Sequence, residues 1–193
     1  MELSGMRKRF IGLLGIGLIV LSSCAGSSSF MKPATERASL TKDKAVIRFM
    51  RPSGMGFGVN INVLDGEKSI GNSVAKSQFE YAADPGRHLF IASAENQDYL
   101  EADLEAGKTY YVFTNVYPGF WRARVAFEPV TRGSKDWDTV RNYENELILL
   151  HSDEAMLKTW QDQYGHEAKA MVVAYENDPK KSEYPRLSPG DGR

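Results

Sequence analysis

Phe57-Gly58-Val59-Asn60-Ile61-Asn62-Val63 alternates apolar and small or polar side chains with a period of two, the pattern of a strand that buries one face. The same period recurs on both sides of it. Ile47 and Phe49 alternate with Arg48 and Met50, and Ala123, Val125 and Phe127 alternate with Arg122, Arg124 and Ala126. Two stretches, 88–94 and 109–116, are apolar or aromatic on both faces, as expected for strands covered on both sides. Turn chemistry separates the runs: Asp65-Gly66 suits a tight hairpin, Asp84-Pro85-Gly86 presets a β-turn, and Gly107 and Pro118-Gly119 punctuate later hairpins. About seven strands at this spacing predict a mainly β fold, a β-sandwich of immunoglobulin-like or similar type over residues 45–132.

Past Arg132-Gly133 the period becomes helical. Ser134 is placed to cap a helix with Asp136 and Asp138 in its first turn and Trp137, Val140, Tyr143, Leu147 and Leu150 along one face. A second helix is expected from Ser152, with Asp153 and Glu154 in its first turn and Met156, Leu157, Trp160, Tyr164, Ala168, Met171 and Tyr175 along it; Gly165 weakens its middle. Residues 133–177 therefore read as an extension of one or two amphipathic helices, which pack on the sandwich or bind a partner. Residues 178–193, rich in proline and charge, read as a disordered tail.

The chain opens with Arg7-Lys8-Arg9 and an uncharged apolar run over 10–21, the layout of a secretory signal. That run is too short to span a bilayer, which asks for about 20 apolar residues. Leu21-Ser22-Ser23-Cys24 then resembles the lipobox of bacterial lipoproteins. The resemblance implies a signal peptide over 1–23, removed before Cys24, and membrane attachment through diacylglyceryl and further acyl chains such as palmitate on the Cys24 sulfur. Several chains matter, because each buried CH₂ contributes about 0.8 kcal/mol and a single chain holds only weakly. Ala25 resembles the choice made by lipoproteins sent to the outer membrane, so the expected location is the cell envelope, facing the periplasm.

Cys24 is the only cysteine, so lipidation leaves none for a disulfide and the core alone must hold the fold. Residues 24–44, with Gly26-Ser27-Ser28-Ser29, read as a flexible tether. Removing the signal takes Arg7, Lys8, Arg9 and Glu2 from totals of 24 basic and 25 acidic side chains, which leaves a formal charge of −3. No basic patch points to nucleic acid.

Three further stretches carry a family resemblance: Ala45-Val46-Ile47-Arg48-Phe49-Met50-Arg51-Pro52-Ser53-Gly54, Asp84-Pro85-Gly86-Arg87-His88, and Leu104-Glu105-Ala106-Gly107-Lys108-Thr109-Tyr110-Tyr111. In this order and spacing they resemble a family of small bacterial lipoproteins and related envelope proteins that share a β-rich domain of unknown function. The resemblance covers about residues 45–130. It implies a compact sandwich on a lipid anchor, and it implies no reaction.

Motifs that carry chemistry are sparse. Ser53-Gly54-Met55-Gly56-Phe57-Gly58 is glycine-rich like a phosphate loop, but such loops open a helix and this one leads into a strand read over 57–64. His88, His151 and His166 form no pair at metal-binding helical spacing, and no metal or cofactor is expected. Glu101, Asp103 and Glu105 alternate along one strand as a solvated face does, and no serine sits in a nucleophile elbow. The composition of a binding hot spot occurs at Tyr117, Phe120, Trp121, Arg122 and Arg124 on a hairpin tip; the bland alternative is that these rings fold over the end of the sandwich. The expectation is a non-catalytic binding or structural module with an envelope protein or polymer as partner. The competing class, an enzyme on a cell-wall polymer, needs a cleft where acids or His88 converge from separate strands.

Overall fold

The computed structural model describes residues 28, 30–119 and 123–193. Among these the strands are β1 (Met31–Pro33), β2 (Ala45–Arg51), β3 (Ile61–Asp65), β4 (Lys68–Ser73), β5 (Ser77–Ala83), β6 (Gly86–Ser93), β7 (Gln97–Leu104), β8 (Thr109–Tyr117), β9 (Arg124–Pro129), β10 (Ile148–Ser152) and β11 (Arg186–Leu187). Two helices complete the chain, α1 (Val140–Glu146) and α2 (Glu154–Glu176). The strands form a six-stranded sheet in the order β1-β10-β5-β2-β8-β9 and a five-stranded sheet in the order β11-β7-β6-β3-β4. The protein is thus mainly β, a two-sheet sandwich with helices from its C-terminal part.

Ile47, Phe49, Phe79, Phe90, Leu100, Val112 and Phe127 interdigitate in the core between the sheets. The Phe49 ring lies 5.0 Å from that of Phe79 in a stacked pair and 5.5 Å from that of Phe90 in an edge contact, both favourable aromatic geometries. Each outer face is covered as well. On the first sheet Met50, Tyr111 and Phe113 meet Val140 and Leu147, with Trp137 and Tyr143 alongside. On the second, Leu64, Ile91 and Tyr99 meet Ala168, Met171 and Tyr175 of α2, with Trp160 alongside. Double coverage explains why every residue of β2 is buried and why the two stretches of two-faced apolar sequence sit in central strands.

Charged groups fasten α1. The Arg48 guanidinium donates to Glu80 at 2.7 Å and ion-pairs with Glu144 of α1, whose carboxylate also accepts from the Tyr111 hydroxyl at 2.7 Å. Arg37, ahead of β2, donates to Glu80 at 3.0 Å. Pairing on both sides is what makes so enclosed a set of charges tolerable.

The structure corrects the sequence reading at its margins. Residues read as tether, helical extension and disordered tail supply β1, β10 and β11, each at or next to a sheet edge. The tail is ordered: Leu187 is buried, the Asp191 carboxylate accepts from the backbone N–H of Arg132 at 2.7 Å, and Arg193 pairs through its backbone with Thr109. Polar composition hid this, since only two residues of the tail pair with β7. The first helix begins at Val140 rather than near Ser134, whose hydroxyl is buried without a partner instead of capping. Leu150, expected on that helix, lies in β10, because the apolar run 148–150 covers the open edge of β5. The second helix begins at Glu154, two residues past Ser152, with Asp153 as cap accepting from Ala155 N–H at 3.1 Å; Ser152 instead donates to the Ile70 carbonyl at 2.6 Å. The strand read over 57–64 begins only at Ile61.

Candidate functional site

The late start of β3 comes from Arg51. This side chain ends β2, is 1% exposed, and turns into the loop that follows. Its guanidinium donates to the carbonyls of Val59 at 3.0 Å, Ser73 at 3.0 Å, Met55 at 3.0 Å and Gly56 at 2.6 Å. Three of those carbonyls belong to the 52–60 loop, so one planar fork fixes its path. Gly56 is required at its apex: its φ is +62°, and a Cβ there would lie 2.8 Å from the Val116 side chain. The loop is thereby pressed against the end of β8 and cannot contribute its alternating side chains to a sheet.

Val59 packs against the core, but Met55 and Phe57 point outward instead. Phe57 is 73% exposed and Met55 53%. Next to them, at the turn end of the β8–β9 hairpin, Tyr117 is 45% exposed and stands opposite Arg124, itself exposed. The Tyr117 hydroxyl donates to Glu128, which also accepts from Asn115 at 2.9 Å, and that bond to a carboxylate raises the phenol's pKa. Phe120, Trp121 and Arg122 lie outside the described residues, as do Leu21, Ser22, Ser23 and Cys24. The structure therefore joins Tyr117 and Arg124 to a loop that sequence reasoning had assigned to a strand. Glycine at every second position, 54, 56 and 58, was the available signal, because it leaves a strand no side chains on one face.

The sheet edges offer little to a partner strand. Along β9, the outward N–H groups of Ala123, Val125 and Phe127 donate to side chains of Glu95 at 2.8 Å, Asn96 at 2.7 Å and Asp98 at 2.7 Å. Burial raises the Asp98 pKa, although two backbone N–H bonds oppose the shift. Along β4, Ser69 N–H donates to Gln161 of α2 at 3.1 Å. The remaining edge strands are three and two residues long, and β1 ends in Pro33, which has no N–H. Such devices block edge-to-edge pairing.

At the opposite end of the sandwich, His88 sits between acceptors. Its Nδ1 is 2.9 Å from the Asp65 carboxylate and its Nε2 is 2.8 Å from the Asp84 carbonyl oxygen. Neither partner can donate, so both ring nitrogens do, which describes an imidazolium. The Asp65 hydrogen bond accordingly raises the His88 pKa against a smaller opposing effect of burial. Tyr81 donates to the same carboxylate at 3.1 Å.

Beside His88 a groove of about 450 Å³ opens on the second sheet, lined by Arg87, Leu89, Glu101, Asp103, Tyr175, Glu176, Lys181 and Arg186 among others. Glu101 and Asp103 of β7 and Glu176 of α2 meet there, while the His88 ring is turned to the other face of β6, onto Phe90 and Asp65. Their condition is not that of a free acid and base: Glu101 pairs with Arg186 at 3.1 Å and accepts from the Tyr175 hydroxyl, and the imidazole has no free nitrogen. Among the described residues, no group of three or more His, Cys, Asp or Glu is placed to hold a metal ion, and no helix is long and apolar enough to cross a membrane. No family model matches this chain, and neither does any curated protein or solved structure.

Proposed function

We propose that the protein is an envelope lipoprotein, held to a membrane by lipid on Cys24, that acts as a non-catalytic binding module and meets an envelope protein partner with its 52–60 loop and the adjoining β8–β9 hairpin. The observation that carries this reading is the exposure of Phe57 and Met55 on a loop whose backbone is fastened by buried Arg51. A fastened backbone that holds two large apolar side chains in water is preorganised for contact and loses little freedom on binding. The sealed edges favour recognition by loops over strand addition. Against an enzyme on an envelope polymer stand the pairing of Glu101 with Arg186 in the groove and the doubly bonded His88 ring on the opposite face of β6.

The test is photocrosslinking in intact cells with a photoreactive residue at position 57 and, as reference, at position 173 on the outer side of α2. A discrete protein adduct from position 57 but not from 173 is expected. No adduct from 57, or the same adducts from both positions, overturns the reading.

A further inference from the structure

The groove beside His88 is built from charges of both signs. Arg87, Lys181 and Arg186 come from β6, the segment after α2 and β11; Glu101 and Asp103 come from β7, and Glu176 from the end of α2. Two of the three couples are closed, Arg186 with Glu101 at 3.1 Å and Lys181 with Glu176 at 3.4 Å. The third is open. Arg87 and Asp103 are direct neighbours across β6 and β7, both are exposed, and neither forms an ion pair among the described residues.

The chemistry of the lining narrows the ligand. A polyanion would meet three carboxylates, and a metal ion would meet three cations. A sugar that stacks its C–H face on an aromatic ring would find only Tyr175, which is 5% exposed. A volume of about 450 Å³ falls in the range of small-molecule sites, roughly 300–1,000 Å³, and exceeds what one amino acid fills. A ligand that carries an ammonium and a carboxylate satisfies the open couple at both ends. We propose that this groove binds a dipeptide through its free amino and carboxyl groups, the carboxylate on Arg87 and the ammonium on Asp103, since direct cross-strand neighbours suit a ligand whose ends lie close together. A guanidinium holds a carboxylate by two parallel hydrogen bonds, which sets the orientation. This inference uses a different face from the proposed partner surface and holds whether or not that surface finds a partner.

The experiment is an amide-resolved NMR titration of the full chain in detergent with L-alanyl-L-alanine bearing free ends, and with the same peptide acetylated and amidated. The free-ended peptide is expected to shift amides at 87, 101–103, 176, 181 and 186 at millimolar concentration or below, and the capped peptide to bind far more weakly. Arg87→Gln and Asp103→Asn, both surface changes that leave the melting temperature in place, should each weaken binding by about tenfold, the usual scale of a lost charge-assisted contact. No shift at millimolar peptide, shifts confined to other faces, or equal binding of the capped form would overturn the proposal. A parallel titration with D-alanyl-D-alanine supports it in either case: tighter binding than the all-L peptide names cell-wall peptides as the source, and weaker binding names protein fragments.

Discussion

Arg51 is enclosed without a carboxylate partner; four carbonyl dipoles take the place of a counter-ion, and its Nε atom is left unbonded. A methionine there would keep the length of the side chain but orphan those carbonyls. Each unsatisfied buried polar group costs about 1–3 kcal/mol, and water can reach part of this set, so Arg51→Met should destabilise the fold by about 3 kcal/mol. Hydrogen exchange should accelerate first at amides of the 52–60 loop while β6 and β7 stay protected; uniform acceleration would instead make Arg51 a general core residue. His88 gives a pH dependence of definite sign. Its folded pKa is raised above the unfolded imidazole value, so the stability it contributes is fully present below that unfolded pKa and is lost as pH rises through the folded one. The stability difference between the wild type and His88→Gln should therefore be larger in mildly acidic than in alkaline buffer. Denaturant melts across that range check it, and a gap that widens with pH would contradict the imidazolium assignment.

At the scale of elements, the seal along β9 shows how a strand is ended without another strand. Glu95, Asn96 and Asp98 sit at the start of β7 or just before it and reach across to alternate N–H groups of the neighbouring edge, so side chains of one sheet stand in for backbone of the other. Asp98→Ala should cost about 1–2 kcal/mol for the orphaned Phe127 N–H. Asn96→Ala with Asp98→Ala should leave two open donors in a row and make self-association concentration-dependent in sedimentation, because an exposed edge is a template for pairing. A monomeric double variant would show that the seal serves stability alone. Elements of this kind divide by how far they could be read. The central strands were legible because burial on one or two faces writes itself as a period. The second helix was legible from its acids and apolar stripe. The marginal strands β1, β10 and β11 were not, since three-, five- and two-residue segments hold their place by pairing with distant strands, and the local sequence carries no period for it. The same holds for the site: Tyr117 and Arg124 stand out by composition, whereas Met55 and Phe57 are turned outward by a bond network from Arg51 that no spacing rule reveals.

The molecule as a whole has a direction. β1 runs antiparallel to β10, which runs parallel to β5, so the chain enters the sandwich from the end where β5 turns into β6, and the 52–60 loop lies at the other end, where β5 begins. Position 24 precedes Met31 by seven residues, a reach of at most about 25 Å even when fully extended. With the lipid on Cys24 that we propose, the domain cannot wander far from the bilayer, and the exposed aromatic loop points away from it. This geometry separates two uses of the same apolar side chains. A loop meant to dip into lipid would share an end with the anchor; a loop meant for a protein partner belongs at the far end. The lipidated protein on vesicles that contain headgroup-quencher lipid, labelled with a fluorophore at Glu105 in the turn after β7 or at Phe57, reads the difference directly. Glu105 lies beside the β5–β6 turn, because Leu104 pairs with Gly86. Strong quenching at 105 and weak quenching at 57 is the expected result, and it should survive replacement of Phe57 and Met55 by serine, which removes partner capture and leaves the orientation unchanged. Stronger quenching at 57 would mean that the loop lies in the membrane surface, and the partner-binding reading would fall with it.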